Sequence, residues 1–425
     1  MIHILSIEEH RPLTDSPLYN EIFDNKKTLL EKFSDATNAK GDKLLGCYVE
    51  GWPTPVPKAS YYVGFTWIEE EQVALHVCPK IKDLDFLGMF MACLKCRDNE
   101  VQDKIMQIYG IDFKKPPIEA NGVHTEITPF IIFHFLTLLE PIIKRGLKHN
   151  YVFEEDNLQS KLKGKLLFQL HFNKNVINHR LDKNFCRFQE YSVDCIENRI
   201  LKKALLFAEA YIQRYKLKTT NNIEQNIHLA KCLFAKVSDV CSVVEIERFR
   251  VNPLFTEYGR AIKVAKLLLR YFSYDVHRIE NRPNMILPFW LDMGLLFETY
   301  VLGLLTEKYK SQIKYHITSY GNEIDFGKPN EKMIIDTKYI YHWENKVNHD
   351  NIRQLSGYAR NKQIRKKLMG QEYNEKEILP CMIIHPSADG IECFTQEELM
   401  SEPYKEIETY LKFYKLGIRL PEIRR

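Results

Sequence analysis

Apolar and polar positions along the chain change rhythm twice. Up to about residue 155, short alternating segments are mixed with helical ones. Residues 61–67 and 72–79 read as two strands that pair across the acidic Glu69-Glu70-Glu71 turn. Residues 87–94 read as a short helix. Thr128-Pro129 offers an N-cap and a first-turn proline to a helix that starts near Phe130. From about 156 to 280 the helical period dominates, with amphipathic stretches over 198–215, 226–238 and 258–274. From 281 onward strands and helices mix again. Trp290, Met293, Phe297, Val301 and Leu304 form one helical stripe within 290–308, with Asp292 in its first turn. Residues 314–324 read as extended, Gly327-Lys328-Pro329-Asn330 has turn chemistry, and 333–340 is rich in β-formers.

The pattern predicts an α+β, mixed fold in three regions. An amino-terminal mixed α/β domain with β-hairpins spans 1–155, a central helical region spans 156–280, and a mixed sheet flanked by helices spans 281–425. There are no repeats or low-complexity segments, and no long Gly/Ser/Pro linker marks the boundaries. A length of 425 residues fits two or three domains, and 45% hydrophobic residues supply their cores.

Composition narrows the chemistry. The net charge of +4 is modest, so any affinity for nucleic acid must come from local patches. The longest apolar run, 130–139, is interrupted by His134 and Thr137 and is too short to span a membrane. Glu8 and Glu9 sit where a signal peptide would be apolar, so a cytoplasmic protein with no membrane partner is expected. The ten cysteines are scattered and read as reduced thiols. Cys93 and Cys96 form a Cys-x-x-Cys, but no second pair follows at zinc spacing. Gly164-Lys165 and Gly327-Lys328 lack the spacing and the hydroxyl of a P-loop, so no nucleotide is expected to bind that way. No nucleophile elbow, Ser-His-Asp pattern or Rossmann fingerprint is present.

The candidate chemistry lies in the last third. On a strand, side chains two apart share a face, so Asp336 and Lys338 project together and Thr337 points away. A hairpin through the 327–330 turn brings Asp325 near Asp336. Two aspartates suit Mg²⁺, with Mn²⁺ as a substitute, because magnesium takes one or two carboxylates plus waters and phosphate oxygens. The Thr337 carbonyl is a further candidate ligand, and Lys338 can face an attacking water. Glu298 lies on the 290–308 helix among apolar neighbours. It is costly to bury there unless it meets a cation or a donor, and otherwise it sits on the helix flank in water. Gln354 and Tyr358 are one helical turn apart on a segment rich in Arg353, Arg360, Lys362, Arg365, Lys366 and Lys367. Arg365, Lys366 and Lys367 form a candidate phosphate-contacting cluster, with a solvated surface helix as the plain alternative. His342, just after the motif strand, is a candidate DNA neighbour.

The ordered set of helix Glu298, strand-end Asp325, Asp336-x-Lys338 and Gln354-x-x-x-Tyr358 resembles the PD-(D/E)xK nuclease superfamily, in the branch that carries Gln-x-x-x-Tyr. The chain as a whole is similar to the McrC family, the nuclease subunits of McrBC-type restriction systems. Leu287-Pro288-Phe289-Trp290-Leu291-Asp292-Met293 running into Phe297-Glu298-Thr299-Tyr300-Val301 carries this resemblance. So do Glu197-Asn198-Arg199-Ile200-Leu201, Arg145-Gly146-Leu147 with Tyr151, and Lys163-Gly164-Lys165-Leu166. Tyr62-Val63-Gly64 and Cys78-Pro79-Lys80-Ile81 extend it to the amino-terminal part. The first aspartate departs from the family pattern, standing in Glu323-Ile324-Asp325 and not in a Pro-Asp pair. The resemblance implies an Mg²⁺-dependent endonuclease with Asp325, Asp336, Lys338 and Glu298 in catalysis. It implies double-stranded 5-methylcytosine DNA as substrate and an AAA+ McrB-like ring as partner. That ring binds the GTP and docks on the amino-terminal region. A non-catalytic, DNA-binding activator of a partner NTPase is the alternative class.

Overall fold

The computed structural model describes residues 2–19, 47–50, 56–119 except 71 and 97, 127–279 except 218 and 253, 285–340 except 320, and 348–423. Contacts divide the chain into two compact units, residues 1–125 with 284–425, and residues 126–283. The expected regions 1–155 and 281–425 therefore do not stand apart.

One short strand is part of the reason. In the first unit, β1 (His3–Glu8), β2 (Tyr62–Glu69), β3 (Val73–Cys78), β4 (Tyr109–Ile111) and β5 (Phe289–Asp292) form a sheet of order β1-β3-β2-β5-β4. β5 lies between β2 and β4, antiparallel to both. Trp290 was expected to begin a helix, yet it pairs with Gly64 on one side and Gly110 on the other. A Cβ on Gly110 would lie 2.5 Å from the indole, so the glycine makes room for the ring. The expected pairing of 61–67 with 72–79 is present as β2 and β3.

The helix α1 (Met293–Tyr309) follows β5 directly. Asp292 caps it, its Oδ1 accepting from Leu295 N at 2.9 Å. Most of α1 is buried, including Met293, Leu296, Phe297, Val301 and Leu305.

The second sheet holds β6 (Lys314–Ser319), β7 (Asn322–Lys328), β8 (Met333–Thr337), β9 (Cys381–Ile391), β10 (Lys405–Glu406) and β11 (Phe413–Ile418), in the order β6-β7-β8-β9-β11-β10. β6, β7 and β8 run antiparallel in succession, and β8, β9 and β11 run parallel. Met333, Ile334 and Ile335 are fully buried, the continuous apolar run of a strand covered on both faces. Helices α2 (His349–Arg360) and α3 (Lys362–Met369) place Ile352, Leu355, Ile364 and Leu368 in a core with Ile324, Ile334 and Ile383.

The second unit packs the helices Thr128–Arg145, Ile196–Tyr215, Asn221–Leu233 and Thr256–Ile279. It also contains an unexpected three-stranded sheet built on the pairing of Asn150–Gln159 with Lys183–Ser192. No residue of Asn150–Gln159 is buried, so no alternation of apolar residues announced it. The Glu197-Asn198-Arg199 motif serves this unit's own architecture. Asn198 Nδ2 donates to Lys148 O and Val193 O, and Asn198 Oδ1 accepts from Tyr258 Oη at 3.0 Å. Arg199 holds Asp194 through two bonds of 2.8 Å.

Candidate active site

The β7–β8 ladder ends at Phe326 and Ile335. One step further, Asp325 faces Asp336 where the strands part. The space is closed by side-chain bonds in place of a ladder bond. Thr337 N donates to Asp325 Oδ2 at 2.6 Å, and Thr337 Oγ1 donates to the same oxygen at 2.5 Å. Asp336 is 4% exposed. Its Oδ2 has Lys338 Nζ at 2.7 Å as an ion pair, with no hydrogen-bond donor at a good angle. Lys338 lies past the end of β8, and its amide still donates to Ile384 O.

Charges at this site oppose one another. Burial pushes the Asp325 carboxyl well above the usual carboxylate range, and repulsion from Asp336 and Glu298 adds to it. Together these outweigh the two bonds from Thr337. Burial also raises Asp336, against the pull of the Lys338 charge. For Lys338, burial favours the neutral amine, but Asp336 and Asp325 more than reverse that, so the ammonium is the stable form. Among the described residues, the result is an excess of carboxylates around Lys338, a setting that a divalent cation relieves.

Glu298 stands midway along α1 and does not lie on a flank in water. Its Oε1 accepts from Tyr315 Oη at 2.8 Å and has His316 Nε2 at 2.7 Å. Neither donor was anticipated, because adjacent strand residues should face opposite ways. A φ of +47° at His316 breaks that alternation and brings both side chains to Glu298. The residue type alone gave only a weak hint, since histidine is among the few non-glycine residues enriched at positive φ.

Among the described residues, no three His, Cys, Asp or Glu side chains converge closely enough to hold a metal by themselves. Magnesium does not need three, because waters and phosphate oxygens complete its shell. The donor set fits that ion: two facing carboxylates, one with a buried oxygen that lacks a well-directed donor.

On α2, Gln354 Nε2 donates to Tyr358 Oη at 2.8 Å, and Tyr358 is among the groups acting on Lys338. Arg365 departs from expectation. It is 7% exposed, and its guanidinium donates to Ala359 O, Asn374 O and Glu377 O. A side chain committed to those carbonyls is unable to contact phosphate. Lys366 and Lys367 are exposed, and Lys367 Nζ donates to Thr318 O. His342 lies outside the described residues. Cys93 and Cys96 sit against α1, with Cys93 Sγ 3.2 Å from Thr299 Oγ1 and Cys96 Sγ 3.7 Å from Thr306 Oγ1. Burial pushes the Cys93 thiol up to about 12.

Behind Lys338, the next residue ties the motif to the first sheet. Lys80 Nζ donates to Tyr339 O at 2.7 Å and lies 3.8 Å from the centre of its ring. Tyr339 Oη and Lys80 N both donate to Glu9 Oε1. Burial lifts the Glu9 carboxyl to about 7, against the pull of the Lys80 charge. Lys80 of the Cys78-Pro79-Lys80 segment thus buttresses the residue that follows the motif.

Among the described residues, no helix is long and apolar enough to cross a membrane. The family of McrBC 5-methylcytosine restriction system components matches residues 57–368, more than half of the chain. No curated protein matches. Two solved assemblies from Thermococcus gammatolerans are similar at 18% identity. One is a half-complex, from a tetradecameric assembly, of McrB AAA+ hexamers with bound McrC; the likeness has a TM-score of 0.40 and covers 98% of this chain and 94% of that one. The other is the cryo-EM structure of the McrBC complex, with a TM-score of 0.31, covering 72% of this chain and 88% of that one.

Proposed function

The chain belongs to the family of McrBC 5-methylcytosine restriction system components, and from that premise we propose that it is the DNA-cutting subunit of such a system. One observation carries the reading. Asp325 and Asp336 face each other at the open end of a strand pair, with Lys338 ion-paired to Asp336 and Glu298 charged toward both.

The residues divide the work. Asp325, Asp336 and the Thr337 carbonyl would hold Mg²⁺, or Mn²⁺ in its place. When bound, the ion acidifies an attacking water and offsets charge on the phosphate. Thr337, through its amide and hydroxyl, keeps Asp325 turned toward Asp336. Lys338, held as an ammonium by its acidic neighbours, orients the water and stabilises the developing charge. Gln354 and Tyr358 brace each other beside it. Lys366 and Lys367 contact the DNA backbone; Arg365 is left out of that role.

The chain has no P-loop, so nucleotide hydrolysis belongs to a partner. We assign that part to a GTP-hydrolysing AAA+ ring of the McrB kind, acting on methylated double-stranded DNA in the cytoplasm. Residues 1 to about 155 carry the docking surface. The test mixes the full chain with its ring, GTP, Mg²⁺ and a methylated duplex. Wild type should cut, and Asp336→Ala should not, while both stimulate GTP hydrolysis. A wild-type chain that stimulates the ring and leaves the DNA intact is an activator only, and the nuclease assignment fails.

A further inference from the structure

His316 is the residue on which the site's geometry turns without having been counted in it. It sits on β6 across from Asp325, at the one position where the β6–β7 ladder is interrupted between Tyr315–Phe326 and Ile317–Ile324. Its side chain is 5% exposed. Nε2 lies 2.7 Å from Glu298 Oε1, and Nδ1 is in close contact with Glu323 Oε1. A neutral imidazole has one donor and one acceptor, whereas here both nitrogens face carboxylate oxygens. Contacts at both ring nitrogens hold the ring in place. The ring also occupies a left-handed backbone position, strain of a kind that persists only where its surroundings enforce it.

We propose that His316 is a positioning residue of the cation site: braced by Glu323, it fixes the Glu298 carboxylate beside Asp325 and Asp336 and so sets how tightly the site holds a divalent ion. This rests on the reading of Asp325 and Asp336 as that site. Tyr315 shares the same Glu298 oxygen, so neither donor takes Oε2. Glu298 charge acts on both aspartates, which makes its placement part of the site's electrostatics. Partners that orient groups around a metal typically change its affinity by about 10- to 100-fold when removed.

Two substitutions separate the contacts. The amide nitrogen of asparagine falls near the place of imidazole Nδ1, and that of glutamine near Nε2. His316→Asn keeps a donor for Glu323 and loses Glu298; His316→Gln does the reverse. The measurement is Mn²⁺ affinity of the full-length chain alone, without ring or DNA, with thermal melting as the check on folding. His316→Asn should bind Mn²⁺ about 10- to 100-fold more weakly, and His316→Gln should stay within about threefold of wild type. Equal binding by wild type and His316→Asn overturns the proposal, as does weaker binding by the glutamine than by the asparagine variant. A wild-type chain that binds no Mn²⁺ overturns the site reading itself, and this inference with it.

Discussion

The site is unstable by construction at the scale of single residues, and that instability is measurable. Asp325 and Asp336 both have carboxyl pKa values raised by burial, with mutual repulsion adding at Asp325. The folded chain therefore holds protons there that the unfolded chain releases above about pH 4. Stability of the metal-free protein should fall as pH rises from that point, because the folded state binds more protons than the unfolded one. Replacing the charge removes the cost. Asp325→Asn should raise the metal-free melting temperature at pH 7 by an amount on the order of 1 kcal/mol, about 2–4 °C, and abolish any further rise on adding Mg²⁺. Melting curves with and without Mg²⁺ check both effects; a variant that melts below wild type at pH 7 would place Asp325 in a supportive structural role. The Asp336–Lys338 pair was legible in sequence because side chains two apart on an extended segment share a face, although Thr337 between them does not simply point away but bonds Asp325 through its hydroxyl. The donors to Glu298 were not, because they depend on one left-handed residue in another strand.

At the scale of elements, the hairpin of β7 and β8 was legible from Gly327-Lys328-Pro329-Asn330, and the turn forms there as a short helical stretch over Pro329–Glu331. The sequence pattern suggests one basic helix, either phosphate-contacting or simply solvated, and the structure breaks it in two. Asn361 ends α2 and caps α3, its Oδ1 accepting from Gln363 N and Ile364 N. The new helix turns Arg365 inward, while Lys366 and Lys367 stay outside. Periodicity marks which positions share a face; the residue type suggested that arginine would be outside, whereas bonds to three backbone carbonyls hold it inside. The cluster should therefore split by experiment. Arg365→Ala should destabilise the chain by roughly 2–4 kcal/mol, since a charge-assisted bond contributes about 1.5–3 kcal/mol and several are lost together. Lys366→Ala with Lys367→Ala should leave melting unchanged and lower the slope of log affinity against log salt by about 1.8 on duplex DNA. Identical melting for all three single variants would contradict the inward placement.

At the scale of the whole chain, residues 1–125 and 284–425 belong to one compact unit, which pattern alone did not reveal. The strand β5 is only Phe289–Asp292, too short to register as a period, and the helical stripe that begins beside it absorbed Trp290. A fragment starting at Asn281 would lack β2 and β4 and leave β5 without neighbours on either side. It should fail to fold. The converse construction should succeed: Ile118–Glu119 pairs with Met285–Ile286, so the two ends of the intervening segment enter and leave on adjacent antiparallel strands. Replacing residues 120–284 with a hairpin-length linker should give a chain that melts cooperatively and still binds Mn²⁺; circular dichroism and Mn²⁺ titration decide it. All of this depends on two facing aspartates forming one cation site. The most direct test is electron paramagnetic resonance of Mn²⁺ titrated into the metal-free full-length chain and into Asp325→Asn with Asp336→Asn. Wild type should take up Mn²⁺ and the double variant should not; equal uptake by both, or none by wild type, would contradict the account.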